Sequence, residues 1–210
     1  MLPVSEMFYE VQGEGAQTGR PCVFIRLAGC NLQCAADGEA GFDCDTELLA
    51  KASMTEEEIV AEATRMAAPA PLLNVIVTGG EPTLHDLEPL LKLLKQAAPR
   101  SVGVWIGLET NGTQLIKGDC LHLLNWISCS PKTAEHTIRV QRVDEFRYVR
   151  NADQPLPVMP QHPGALRYLS PAFAPDGSLP RANLDHCIAL VKGSPKWRLS
   201  LQTHKLIGHR

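Results

Sequence analysis

Short apolar runs alternate along this chain with segments of helical period. Cys22 to Gly29 (CVFIRLAG) is rich in Val, Phe and Ile and predicts a buried strand. Leu72 to Gly80 (LLNVIVTGG) strings β-branched residues together, which suggests burial on both faces, as in a parallel sheet. Further short strands are predicted at VGVWIGLETNG, WISCSPK, EFRYVRN, LRYLSP and WRLSLQTHK. Helices fall between them. In TEEEIVAEATRMAA, Thr55 stands three residues before Glu58, the signature of a capping box. Leu87, Leu90, Leu91 and Leu94 form the i, i+3, i+4, i+7 stripe of a second helix that starts near His85. NLDHCIALVKG predicts a late helix, and residues 151–181, with seven of the sixteen prolines, predict irregular chain around the LRYLSP strand.

Nearly every predicted strand runs into a polar or glycine-rich tail: CNLQC, TGGEP, ETNG, SPK, LSP and QTHK. In a parallel α/β barrel such tails emerge together at the carboxyl end of the sheet, where these folds build their sites. Eight βα units usually need ~250 residues, and this chain has 210. An incomplete barrel of the (β/α)6 type, in a single domain over residues 1–210, is therefore expected.

Composition narrows the function classes. A net charge of −3 argues against a nucleic-acid surface or a polybasic membrane anchor. The first residues lack a basic segment followed by an apolar one, and no apolar run approaches the ~20 residues of a membrane span. A cytoplasmic protein with reduced thiols follows, in which clustered cysteines bind metal or do chemistry.

Three of the seven cysteines, Cys30, Cys34 and Cys44, fall within GCNLQCAADGEAGFDC. Taken alone they fit a zinc site completed by a distant ligand such as His204. They equally fit a four-iron cubane in which three thiolates hold three irons and something else binds the fourth; electron-transfer clusters normally have four protein ligands. Cys22, Cys120, Cys129 and Cys187 lie in apolar or helical settings and read as buried, inert thiols.

GCNLQC…CDT together with TGGEP, ETNG and SPK resembles the radical S-adenosylmethionine (SAM) superfamily. From EMFYEVQGEG to LQTHK the chain is similar to its 7-carboxy-7-deazaguanine synthase family. That family usually has its second cysteine three residues before the third, with an aromatic residue just before the third. Here those positions are Gly41 and Asp43, so a loop inserted at about 35–43 is read between Cys34 and Cys44. The resemblance implies a radical SAM barrel in which Cys30, Cys34 and Cys44 hold a 4Fe-4S cluster and SAM binds the open iron. It implies conversion of 6-carboxy-5,6,7,8-tetrahydropterin to 7-carboxy-7-deazaguanine, with loss of ammonia. It also implies Mg²⁺ held by Thr46, a homodimer, and an electron donor such as flavodoxin.

The same resemblance implies SAM contacts at Gly80, Glu81, Glu109, Ser130, Pro131 and Lys132, and at Ser170, Pro171, Ala172 and Phe173, where the family has Gln in place of Ser170. Glu109 and Asn111 of ETNG could instead simply close a turn. Val11, Gln12, Gly13, Arg26, Thr78 and His204 match substrate contacts. Arg26 offers a bidentate fork for a carboxylate, with a surface salt bridge as its alternative. The terminal carboxylate of Arg210 falls where the family places one against the pterin, although a small apolar ending is usual. Two rivals remain. An activase that installs glycyl radicals would share the cysteines and TGGEP but has no need of VQGEG, Arg26 or QTHK. A zinc-stabilised binding protein would contain no iron.

Overall fold

The computed structural model describes residues 1–34, 48–71, 73–98 and 103–209. The loop insertion expected at about 35–43, Cys44, Thr46 and Arg210 lie outside the described residues. Among the described residues nine strands form one sheet in the order β3-β1-β2-β4-β5-β6-β7-β8-β9. They are β1 (Leu2–Val11), β2 (Pro21–Leu27), β3 (Ala52–Met54), β4 (Asn74–Gly79), β5 (Trp105–Thr110), β6 (Trp126–Cys129), β7 (Glu145–Arg150), β8 (Leu166–Pro171) and β9 (Arg198–Leu199). From β2 through β9 every pairing is parallel; β1 joins β2, and β3 joins β1, antiparallel. The architecture is an incomplete α/β barrel, with six well-formed parallel strands and the two-residue β9 at one edge.

Two parts of the strand reading need correction. The first strand, β1, is absent from the sequence-based expectation, because LPVSEMFYEV mixes polar and apolar residues instead of running apolar. An antiparallel strand near a sheet edge buries only part of its surface, and here burial alternates imperfectly along it. WRLSLQTHK contributes only Arg198–Leu199 to the sheet, and its QTHK end starts a one-turn helix, α5 (Thr203–Leu206).

Helices cover the convex face unevenly. Helix α1 (Glu56–Ala67) carries the predicted capping box: Glu58 N donates to Thr55 Oγ1 at 3.2 Å, and Thr55 N donates to Glu58 Oε2 at 2.8 Å. Helix α2 (Glu88–Gln96) buries Leu90, Leu91 and Leu94, with Leu87 at its cap. After β5 the connections shrink. The link to β6 has only the one-turn α3 (Cys120–Leu123), and the link to β7 only a 3-10 turn at Glu135–Thr137. Residues 151–165, before β8, contain neither helix nor strand. Leu156 and Met159 of that stretch pack on the core in place of a helix, and the His162 ring meets Phe146 edge-on at 5.5 Å. Helix α4 (Arg181–Gly193) then packs against β8 and β9. Economy in these connections explains how so short a chain closes this much of a barrel.

Strand alternation divides the two faces. Val23, Ile25, Leu27, Val75, Val77, Ile106, Leu108, Ile127 and Phe146 belong to one continuous core with the leucines of α2. The intervening residues face the concave side. There a small apolar group, Cys22, Phe24 and Ile76, lies toward the amino ends of the strands. Toward the carboxyl ends the row turns polar: Arg26 pairs in register with Thr78, Glu109 with Ser128, and Ser128 with Glu145.

Candidate active site

Three strand tails lock together at the mouth of the barrel. The loop after β2 begins at Ala28-Gly29-Cys30, and the TGGEP turn after β4 lies directly on it. Gly80 N donates to Leu27 O at 3.2 Å and Glu81 N to Gly29 O at 2.9 Å. A Cβ on Gly79 would collide with the Leu27 carbonyl, and one on Gly80 with the Gly29 carbonyl. The glycines are therefore required by the neighbouring backbone of the cysteine loop, a constraint that the motif alone does not reveal. His85 Nε2 lies 2.9 Å from Ala28 O and fixes the same junction.

Glu81 joins this pair of loops to the third. Its carboxylate is fully buried. Oε1 accepts from Thr83 N at 3.1 Å, Thr83 Oγ1 at 2.5 Å and Thr110 Oγ1 at 2.7 Å, while Oε2 accepts from Asn111 N at 2.6 Å. Its acceptors are thus committed to the chain's own donors, and what TGGEP exposes is backbone. Asn111 closes the ETNG turn by accepting from Thr113 N at 2.9 Å. Its amide also donates to Asn31 Oδ1 at 3.0 Å and approaches Cys30 Sγ at 3.9 Å. Of the two residues that sequence left open between turn and ligand, Asn111 closes the turn and Glu109 points inward.

Below the mouth, the concave face holds a network of buried charges. Glu109 accepts from Gln12 Nε2 at 2.8 Å and Thr78 Oγ1 at 3.2 Å, and pairs with Arg147 Nη2 at 2.9 Å. Burial pushes the Glu109 carboxyl upward, but the Arg147 guanidinium and the Gln12 hydrogen bond outweigh it and hold the group below the usual carboxylate range. Arg147 is itself buried; that favours its neutral form, but Glu109, Glu14 and Glu145 prevail and raise it further. Arg26 lies along the same row, half-buried, with Nε donating to Glu6 Oε1 at 2.9 Å.

The chain ends meet here too. Thr203 N and Oγ1 donate to Gly13 O at 3.0 and 2.9 Å, and a Cβ on Gly13 would strike the His204 ring. Gln202 Nε2 donates to Glu14 Oε1 at 2.6 Å. Val11, Gln12 and Gly13, all read as substrate contacts, are thereby brought against His204, another of them. At the adjoining strand ends, Lys132 Nζ donates to Ser130 Oγ at 2.6 Å, Pro131 is buried, and Lys205 Nζ lies 5.0 Å from the Phe173 ring centroid. Ala172 is held through its carbonyl by Asn183 Nδ2 at 2.9 Å, just after Ser170 and Pro171 close β8.

Sequence reasoning passed over Glu14, Glu145, Arg147 and Gln202. A signal for two of them was present. EFRYVR places Glu and Arg at alternate positions between aromatic residues, as a strand does when one of its faces is polar.

The donor set fits a thiolate-held cluster. Cys30 and Cys34 stand in the loop at a strand's carboxyl end, and Leu32 N approaches Cys30 Sγ at 3.5 Å in addition to the Asn111 amide. Hydrogen bonds to sulfur of this kind tune such clusters. The remaining thiols differ: burial pushes Cys22 up to about 12 and Cys120 and Cys187 up to about 11, and raises Cys129 as well. Ser170 Oγ is buried without a hydrogen-bond partner among the described residues, as expected of a site completed by a polar ligand.

A family model described as the radical SAM superfamily matches residues 25–145. The 7-carboxy-7-deazaguanine synthase of Bacteroides thetaiotaomicron is 37% identical over 210 residues, covering 100% of both chains. The 7-carboxy-7-deazaguanine synthase of Synechocystis is 31% identical, covering 99% of this chain and 93% of its own. The crystal structure of QueE from Escherichia coli superposes with a TM-score of 0.64 at 25% identity, covering 95% of this chain and 93% of that one.

Proposed function

Since the chain belongs to the radical SAM superfamily and, within it, to the 7-carboxy-7-deazaguanine synthases, we infer that it converts 6-carboxy-5,6,7,8-tetrahydropterin to 7-carboxy-7-deazaguanine with loss of ammonia. The product serves queuosine and related 7-deazapurine biosynthesis. One observation carries the reading beyond family membership. The tail of β1 and the QTHK terminus, which a generic radical SAM activase does not need, are bonded to one another over the concave face through Thr203 and Gly13.

Cys30 and Cys34, with Cys44 from outside the described residues, would hold a 4Fe-4S cluster. The backbone of Gly80 and Glu81, Glu109, the Ser130–Pro131–Lys132 segment and Ser170 to Phe173 would line the SAM site. When bound, cluster and SAM together supply the reductive cleavage that starts hydrogen abstraction. The chain's own residues bind and orient. Arg26 presents a planar fork to the substrate carboxylate. Gln12, Gly13, Thr78 and His204 fix the ring, with Arg210 as a further proposed contact. Burial of Gln12, Thr78 and Arg147 keeps bulk water from the reacting face.

Thr46 is the proposed Mg²⁺ ligand, giving a hard cation one protein oxygen and leaving the rest of its shell to substrate and water. Among the described residues no helix is long and apolar enough to cross a membrane. The proposed setting is the cytoplasm, as a homodimer reduced by a flavodoxin-type donor. Complementation tests the reading. Expression in a bacterium lacking its own 7-carboxy-7-deazaguanine synthase should restore queuosine to tRNA. A chain that accumulates to normal levels and leaves tRNA unmodified would refute it.

A further inference from the structure

Beyond excluding water, the proposed steps give no role to Arg147, the most buried cation on the concave face among the described residues. The Arg147 side chain is only 5% exposed, yet it meets three carboxylates from three parts of the chain. Nη1 pairs with Glu14 beyond β1, Nη2 with Glu109 at the end of β5 at 2.9 Å, and Nε with Glu145 on its own strand at 3.5 Å. Nε also donates to Ser128 Oγ at 2.8 Å. Each carboxylate is tied onward. Glu14 accepts from Gln202 of the C-terminal tail, Glu109 from Gln12 and Thr78, and Glu145 from Ser128 Oγ and Ala16 N, both at 2.8 Å. A single guanidinium thus frames the ETNG strand, the VQGEG loop and the QTHK tail. Three carboxylates gathered at one place would repel one another without the cation between them. A lysine, as a single point charge, cannot engage three groups in fixed directions as a planar fork does.

We propose that Arg147 is a positioning residue for the pterin, holding Glu14 and Glu109 in place and, through them, the substrate-facing Gln12, Gly13 and His204. This rests on the synthase reading. Arg147 does not touch the reacting atoms; it sets the frame in which the substrate-facing groups act. Its loss therefore affects substrate affinity and the ionisation of Glu109, and leaves the cysteine loop alone.

The test uses the reconstituted, iron-loaded protein, and wild-type turnover of the pterin is measured first; if that fails, the synthase reading fails and not this one. Arg147→Lys keeps the charge and loses the fork. KM for the pterin should rise at least about tenfold, as when a buried charge pair loses its geometry. In a variant that removes the charge, Arg147→Met with Glu145→Gln, the acidic limb of kcat/KM should move up as Glu109 loses the cation that holds its carboxyl low. Equilibrium dialysis of the pterin against the cluster-free protein should show affinity falling by the same factor, while iron content stays at the wild-type value. Arg147→Met combined with Glu145→Gln, which keeps the net charge of the cluster, should give the same KM increase. Wild-type KM and pterin affinity in either folded variant, or a wild-type acidic limb in the double one, would overturn the inference. So would failure of both variants to fold, which would make Arg147 a folding strut.

Discussion

Replacing Glu81 by glutamine isolates the joint on which the mouth of the barrel depends. In the wild type, three donors converge on Oε1 and one on Oε2, all within 3.1 Å, around a carboxylate with no solvent exposure. In Glu81→Gln the side-chain amide oxygen would keep the three donors on one side, at neutral rather than charge-assisted strength, a loss of about 1 kcal/mol for each bond. The new NH2 group would then oppose the Asn111 N–H, and stranding a buried donor costs about 1–3 kcal/mol. Easier burial of a neutral group offsets part of this, leaving a net loss of about 3 kcal/mol. For a domain of this size that lowers the melting temperature by roughly 6–12 °C. Because Asn111 also reaches Asn31 and Cys30, iron should leave the variant faster under a chelator challenge. Calorimetry of the cluster-free protein without SAM is the decisive assay, since a residue whose role is to bind SAM would show no loss there. A melt within about 1 °C of wild type, together with wild-type iron retention, would refute this role for Glu81.

Alanine at Cys30, Cys34 or Cys44 should abolish iron binding, whereas alanine at Cys22, Cys120, Cys129 or Cys187 should leave about four irons per chain; full iron in Cys34→Ala would place the second ligand elsewhere. The raised thiols make stability pH-dependent. They are neutral in the fold beyond the pH at which unfolded thiols ionise, so their contribution is intact below about pH 8.5 and lost as pH rises toward the folded values near 11 and 12. Urea melts between about pH 9 and 11 should show unfolding free energy falling by roughly 1.4 kcal/mol per pH unit for each such thiol, and a flat profile would contradict their burial. Thr46→Ala should blunt the response of ring contraction to added Mg²⁺ while iron stays bound; an unchanged Mg²⁺ titration would remove Thr46 as the ligand.

The parallel core was legible because its residues speak locally. CVFIRLAG and LLNVIVTGG are apolar enough to require burial on both sides, and the Thr55–Glu58 capping box and the leucine stripe of α2 need only a few neighbouring residues to form. Strand tails could be read as site loops because parallel connectivity sends them all to one end. What escaped was decided at long range. Gln202 and Glu14 are 188 residues apart in sequence, and Arg147 gains its meaning only when Glu14 and Glu109 fold around it. Strand β1, one in from the sheet edge, hid behind its polar residues, since a strand paired antiparallel near an edge needs no continuous apolar run. The need for Gly79 and Gly80 was hidden too, because the collisions that a side chain would meet there are with Leu27 and Gly29, some fifty residues away in the chain.

The central claim is chemical, and one anaerobic reaction tests it most directly. Cluster-loaded protein is mixed with 6-carboxy-5,6,7,8-tetrahydropterin, SAM, a low-potential reductant and Mg²⁺, and the products are read by mass spectrometry. The account predicts 7-carboxy-7-deazaguanine and one ammonia for each pterin consumed. Brown, iron-replete protein that cleaves SAM but returns the pterin with its ring intact would contradict it.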